Sequence, residues 1–173
     1  MFKTFFEKIK GLLNKANMDN QVIMTGALYA KKIPRDGRAV IDLGKIASKV
    51  VTTAGVNYLC DSFQSSTGYP MSDFYWHDCS IGTGAEAVGD TALSTGFVEA
   101  RTTGTQAEGA SANIYQTVST HVFAATGAAI TEHGLFSSSA GGTLWDRSLF
   151  APINVSSGDS IQFTYELTIQ AGG

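Results

Sequence analysis

The chain has 173 residues, which suits one domain, or one domain with an appendage, and is long enough to bury a core without disulfides or metals. Charged residues make up only 16%, against 19 glycines and many Ser and Thr, a profile that fits an all-β protein with many turns. No apolar run is long enough to span a bilayer, and Lys3, Glu7, Lys8 and Lys10 interrupt the N-terminus, so we expect no signal peptide and assembly in a cytoplasm.

The net charge of −3 is unevenly placed. Residues 1–50 hold ten of the twelve Lys and Arg and four acids, a net of +6. Residues 51–173 hold Arg101, Arg147 and eleven acids, a net of −9. A basic leading part before an acidic body points to contact with something acidic. Nucleic acid, a lipid surface or the body of a neighbouring copy would each serve. The two cysteines, Cys60 and Cys79, read as reduced, buried thiols, with a disulfide as the alternative.

In chain order, residues 2–16 predict an amphipathic helix. Phe2, Phe5, Phe6, Ile9, Leu12, Leu13 and Ala16 recur at helical spacing, with Lys3, Glu7, Lys8, Lys10 and Lys15 off that face. A helix this short is marginal alone in water, so its apolar face needs a partner. Packing on its own domain, self-association, docking into another protein and lying on a membrane surface all satisfy that need. Residues 21–30 and 39–43 read as short strands. Lys31, Lys32, Arg35 and Arg38 lie between them in a basic loop, a solvated hairpin tip with no interleaved aromatic platform for nucleic acid.

Residues 52–63 read as a second helix, capped by Thr52 or Thr53, with Val51, Ala54, Tyr58, Leu59 and Phe63 on its apolar face. Strands are expected at 73–81, 97–105, 112–124, 129–136 and 143–150, with 86–95 irregular and a turn at 106–110. The clearest signal comes last. Ile161, Phe163, Tyr165, Leu167 and Ile169 alternate with polar residues, as on a strand with one face on a core. Ser156, Ser157, Gly158 and Asp159 supply the turn before it. The last three strands are expected to form an antiparallel meander. The count is about eight strands and two helices: a mainly β chain, an antiparallel jelly-roll-like β-sandwich over residues 21–173, with a helical arm over residues 1–20.

No set of residues reads as catalytic. A GxSxG elbow is missing, and His77, His121 and His133 sit in strand contexts. In His77-Asp78-Cys79, strand geometry lets only His77 and Cys79 share a ligand, too few for a closed zinc site. Gly82-Thr83-Gly84 lacks the rest of a phosphate loop. Glu99 and Glu132 each read as solvated strand residues, and Asp146 and Arg147 as a structural pair. Tyr69, Phe74, Tyr75 and Trp76 form an aromatic cluster that suits either a core strand or a sugar-stacking surface. We expect no enzyme activity, metal or cofactor.

Four segments carry a resemblance. They are Ile81-Gly82-Thr83-Gly84 through Gly89-Asp90-Thr91-Ala92-Leu93; Ile130-Thr131-Glu132-His133-Gly134-Leu135-Phe136; Gly142-Thr143-Leu144-Trp145-Asp146-Arg147; and Gly158-Asp159-Ser160-Ile161. Together, over roughly residues 40–170, they resemble the β-sandwich modules of tailed-phage virion structural proteins, in capsid decoration proteins and in tail fibre or collar modules. The arm lies outside the pattern. The resemblance implies assembly rather than catalysis. It implies a capsid decoration (cement) protein that binds and stabilises the head shell, located in the virion. Its partner would be the major capsid protein or another virion protein, with self-association as a trimer or dimer and no nucleic acid or membrane. A tail fibre or tail-tip module is the alternative, and a carbohydrate-binding module, through Tyr69, Tyr75 and Trp76, the rival from another class. Surfaces rich in Gly, Ser and Thr pack closely without desolvating many ions, and an arm linking copies adds affinity through effective concentration.

Overall fold

The structure is a computed structural model that describes residues 22–48, 50–64, 68–94, 99–124 and 127–171. The arm and its helix lie outside these residues. Ten strands are present among them: β1 (Ile23–Ile33), β2 (Ile41–Ser48), β3 (Val50–Val51), β4 (Trp76–Ser80), β5 (Thr102–Thr103), β6 (Thr105–Glu108), β7 (Ile114–Val122), β8 (Ala128–Phe136), β9 (Leu144–Val155) and β10 (Ser160–Gln170). One α-helix, α1 (Thr53–Gln64), and a 3-10 turn (Met71–Asp73) accompany them. The strands make two five-stranded antiparallel sheets, in the orders β2-β1-β10-β7-β6 and β3-β9-β8-β4-β5. The protein is a mainly β sandwich, as expected.

Strand β10 is the centre of the first sheet. Ile161, Phe163, Tyr165 and Leu167 are buried, and the polar residues between them are half-buried on the outer face. Ile169 keeps the phase of Tyr165 and Leu167 but is 43% exposed, because it borders an open apolar cavity rather than the closed core. The expected meander is also corrected. Strands β8 and β9 pair, but β10 crosses to the other sheet and lies between β1 and β7. The turn chemistry itself is as read: Gly158 has φ +84°, and Asp159 N–H donates to Ser156 O. What the turn is stitched to is the end of β7, through Gly158 N–H to Phe123 O and Phe123 N–H to Asp159 O. A turn sequence sets a reversal, not the neighbour that the next strand finds.

Other boundaries shift. Strand β1 continues through Lys31 and Lys32, and β2 runs on to Ser48. The expected turn at 106–110 falls partly in β6, a short edge strand with every residue exposed and hence no alternation to read. The expected strand at 97–105 shrinks to β5 among the described residues. Only Gly104 separates β5 from β6, and there one stretch of chain passes from one sheet to the other. A Cβ at Gly104 would collide with Thr117 Oγ1 and lie 2.7 Å from His77 Nε2, so glycine is required by space.

Helix α1 closes one end of the sandwich. Thr52 Oγ1 accepts from Gly55 N–H at 3.0 Å as its cap, and donates to Leu144 O at 2.5 Å. Tyr58 meets Phe74 edge-on, and Phe74 packs on Trp145. Phe63, expected on the buried face, is 85% exposed, one residue before the end of the helix. Cys60, also on α1, is exposed rather than buried, while Cys79 is buried, and both are free thiols.

Candidate functional site

Three groups of chemistry-bearing side chains stand out, together with two cavities. The first group lies on the outer face of the second sheet, under the irregular segment 81–94. Arg147 on β9 donates through Nε to Glu132 Oε2 (2.7 Å), through Nη1 to Asp90 Oδ2 (2.9 Å) and Ala85 O (3.2 Å), and through Nη2 to Gly84 O (2.6 Å). Glu132 on β8 also accepts from Ser80 Oγ and from Ser94 N–H (3.2 Å). Glu132 and Arg147 are buried. Burial opposes the charge on Asp90, but the Ala87 amide and the Arg147 guanidinium win and hold its pKa below the usual value. Burial likewise opposes the charge on Arg147, but Asp90 and Glu132 outweigh it and raise the guanidinium's pKa. This corrects two readings. Glu132 is not solvated, and Arg147 takes Glu132 and Asp90 as its ion-pair partners rather than Asp146. Asp146 instead meets Tyr165, whose hydroxyl also accepts from Trp145 Nε1. A bulge opposite Leu135 and Phe136 lets both neighbours reach it.

The second group lies between the sheets. His77, His121 and His133 are all buried. His77 Nδ1 faces His133 Nε2 at 2.9 Å, so the facing nitrogens hold one proton between them, and His77 Nε2 meets Thr117 Oγ1 at 3.2 Å. His121 Nε2 meets Thr102 Oγ1 at 2.7 Å, and Thr102 in turn meets Ser119. Burial lowers the His121 pKa to about 4 and pushes the Cys79 thiol up. His77 and Cys79 do turn to the same side, as strand geometry requires, but both His77 nitrogens are engaged by other side chains. No cluster of three or more His, Cys, Asp or Glu suited to a metal occurs among the described residues.

The third group is aromatic. Phe74 belongs to the core, and Tyr69 stacks edge-on against Tyr58 with centroids 5.2 Å apart. Tyr75 and Trp76 form a separate, half-buried pair, also 5.2 Å apart and tilted by 30°. The cluster therefore divides between core and surface. Glu99 accepts from the Ala124 amide, and Arg101 donates to Ser138 O and Gly141 O with its guanidinium 3.4 Å above the Phe136 ring, so both brace loops. The basic loop is largely neutralised. Lys31 pairs with Asp42, Lys32 with Asp159 and Arg38 with Asp36.

An apolar cavity of about 510 Å³ opens at the α1 end of the sandwich. Phe74, Leu135, Trp145, Tyr165 and Leu167 form its floor, and Met24, Leu59, Met71 and Ile169 its sides. A groove of about 550 Å³ between β2 and β9 is lined by Lys32, Ile41, Leu43, Lys45 and Pro152. Neither cavity was foreseen, because each is assembled from strands far apart in sequence. No protein-family model matches the chain, and no curated protein matches it.

Proposed function

We propose that the chain is a non-enzymatic structural protein of a tailed-phage virion, a capsid decoration protein that binds the head shell and self-associates as a dimer or trimer. The observation that supports this most is where the resembling segments go. Gly84 and Asp90 of the first, Glu132 of the second and Arg147 of the third meet in one ion cluster, in which every Arg147 nitrogen has an acceptor. Such a cluster has no open position for a substrate. It fastens an irregular surface segment onto a sheet, which suits a protein whose surface loops must hold one shape in a repeating contact. Exposed apolar residues on and just before the edge strand β2, Val40, Ile41 and Leu43, suit burial against neighbours.

Electron cryo-microscopy of the particle that carries this chain tests the proposal. Density for the two-sheet body at regular positions on the head exterior is expected. Density confined to a tail or fibre would replace the head assignment with the tail-module alternative. A carbohydrate-binding role would show as glycan-array binding that Trp76→Ala removes.

A further inference from the structure

We infer that the apolar cavity at the α1 end is the seat of the chain's own N-terminal segment, which inserts the apolar face that begins with Phe2, Phe5 and Phe6. The inference concerns the isolated molecule and does not depend on the virion reading.

Continuity of the chain is the first argument. Met24, the second residue of β1, lines the cavity, and its register partner Ile169 lines the same side. Val22 and Ile23 beside them are exposed. The N-terminal segment therefore leaves the sandwich at the rim of this cavity. Seven residues lie between Ala16 and Met24, eight Cα steps with a reach of at most roughly 29 Å at about 3.6 Å per step. A tethered segment that close has an effective concentration of the order of mM, well above that of a free competitor in dilute solution.

Complementarity is the second argument. Residues 2–16 carry an apolar face that is marginal without a partner, and the cavity offers an apolar surface without a cover among the described residues. Lys3, Lys8, Lys10 and Lys15 flank that face. Asp61, Asp73 and Glu108 lie close in sequence to the lining residues Leu59, Phe74 and Ala107, and Glu108 pairs in register with the lining residue Tyr115, so the stretches of chain that form the cavity carry acids where the segment carries bases.

The third argument weighs against a small polar-headed ligand. Two polar side chains that could orient one, Gln106 and Tyr115, are engaged with their surroundings. Gln106 Nε2 donates to Ser72 O and to Tyr115 Oη, each at 2.8 Å, and Tyr115 Oη donates to Phe74 O at 2.7 Å. The mouth thus presents mainly hydrocarbon.

Two measurements on the full chain test the seat. Carbodiimide joins a lysine to a carboxylate in contact with it. Cross-links from Lys3, Lys8, Lys10 or Lys15 to Asp61, Asp73 or Glu108 are expected, within one molecule, as judged from a mixture of isotopically light and heavy chains. The dye anilinonaphthalenesulfonate should fluoresce weakly with the parent. It should fluoresce several-fold more strongly with Phe5→Asp/Phe6→Asp, and this gain should vanish when Ala107→Trp narrows the mouth. Sedimentation should give the same molecular mass for the parent and the arm variant. Cross-links found only between light and heavy chains would overturn the inference in favour of a second copy. Strong dye binding by the parent, with no arm cross-links, would show the cavity to be open.

Discussion

The outer faces of the two sheets are finished in different ways. On β10 of the first sheet, Gln162, Thr164, Glu166 and Thr168 stay half-exposed, while the inner residues are buried. On β8 of the second sheet, every residue from Ile130 to Phe136 is buried, on both faces. The cover on the outer face of β8 includes the irregular segment 81–94, held by Arg147, Glu132 and Asp90. Among the described residues, the outer face of one sheet stays half-exposed, and a layer of chain without regular structure completes the other. That difference determines which substitutions are tolerated, and where.

Breaking the ionic fastening should have the largest effect. Arg147→Met leaves Glu132, fully buried, without its cation. Removing one partner of a buried pair costs about 3–5 kcal/mol, because the remaining charge stays desolvated. Urea unfolding should show this loss, and amide exchange should show segment 81–94 released. Arg147→Met combined with Glu132→Leu should recover much of the stability. A double variant as unstable as the single one would mean that the cluster does not act as a pair.

Phe163→Ala tests the first sheet at its core. The ring is fully buried and lies against His133, His121 and Phe150. Its removal should cost about 3–5 kcal/mol, a large part of the total for a domain of this size. A variant that melts like the parent would mean that β10 faces the other way.

The same contrast explains what could be read from the sequence. β10 was legible because only one of its faces is buried, which writes a period of two into the residues. Helix α1 was legible because Thr52 caps it through a local bond. Glu132 was misread because its partner lies 15 residues away on another strand, and Asp90 lies 42 residues away in a segment with no periodic pattern. A signal was nonetheless present. Ile130 to Phe136 and Leu144 to Phe150 carry apolar residues at both odd and even positions, as strands covered on both faces do, with Glu132 the one formal charge in the first and Asp146 and Arg147 the two in the second. The histidine group was hidden for a related reason, since β4, β7 and β8 come together only through sheet pairing and packing.

Acid should weaken the space between the sheets next. His121 lies against Phe123 and Phe163, with Thr102 and Ser119 as its polar neighbours, and its folded pKa is about 4. An unfolded histidine takes up its proton near pH 6.5. The folding free energy tied to its neutral state is therefore whole above about pH 6.5, and is lost as pH falls from there to about 4, by about 3 kcal/mol. Urea midpoints at pH 7 and pH 5 should differ in the parent and differ much less in His121→Phe. Equal pH dependence in the two would remove His121 as the cause.

Thr164→Ala should have the smallest effect of the set, and it separates folding from assembly. Thr164 lies on the outer face of β10, between Tyr29 of β1 and Val118 of β7, one residue from the buried Phe163 ring. Its backbone bonds to both neighbours survive the substitution, and its side chain is only half-buried. What changes is one hydroxyl, one methyl and the strand preference of a β-branched residue, worth less than about 1 kcal/mol together. Melting should therefore stay close to that of the parent. If the outer face of the first sheet meets only water, self-association should also be unchanged. If it meets a neighbouring copy, a shallow loss of packing repeated over every copy in the assembly should weaken association while each molecule stays folded. Sedimentation and melting of the same preparation distinguish these outcomes, and a fall in melting as large as that of Phe163→Ala would show that this face is also covered within the molecule, as it is on β8.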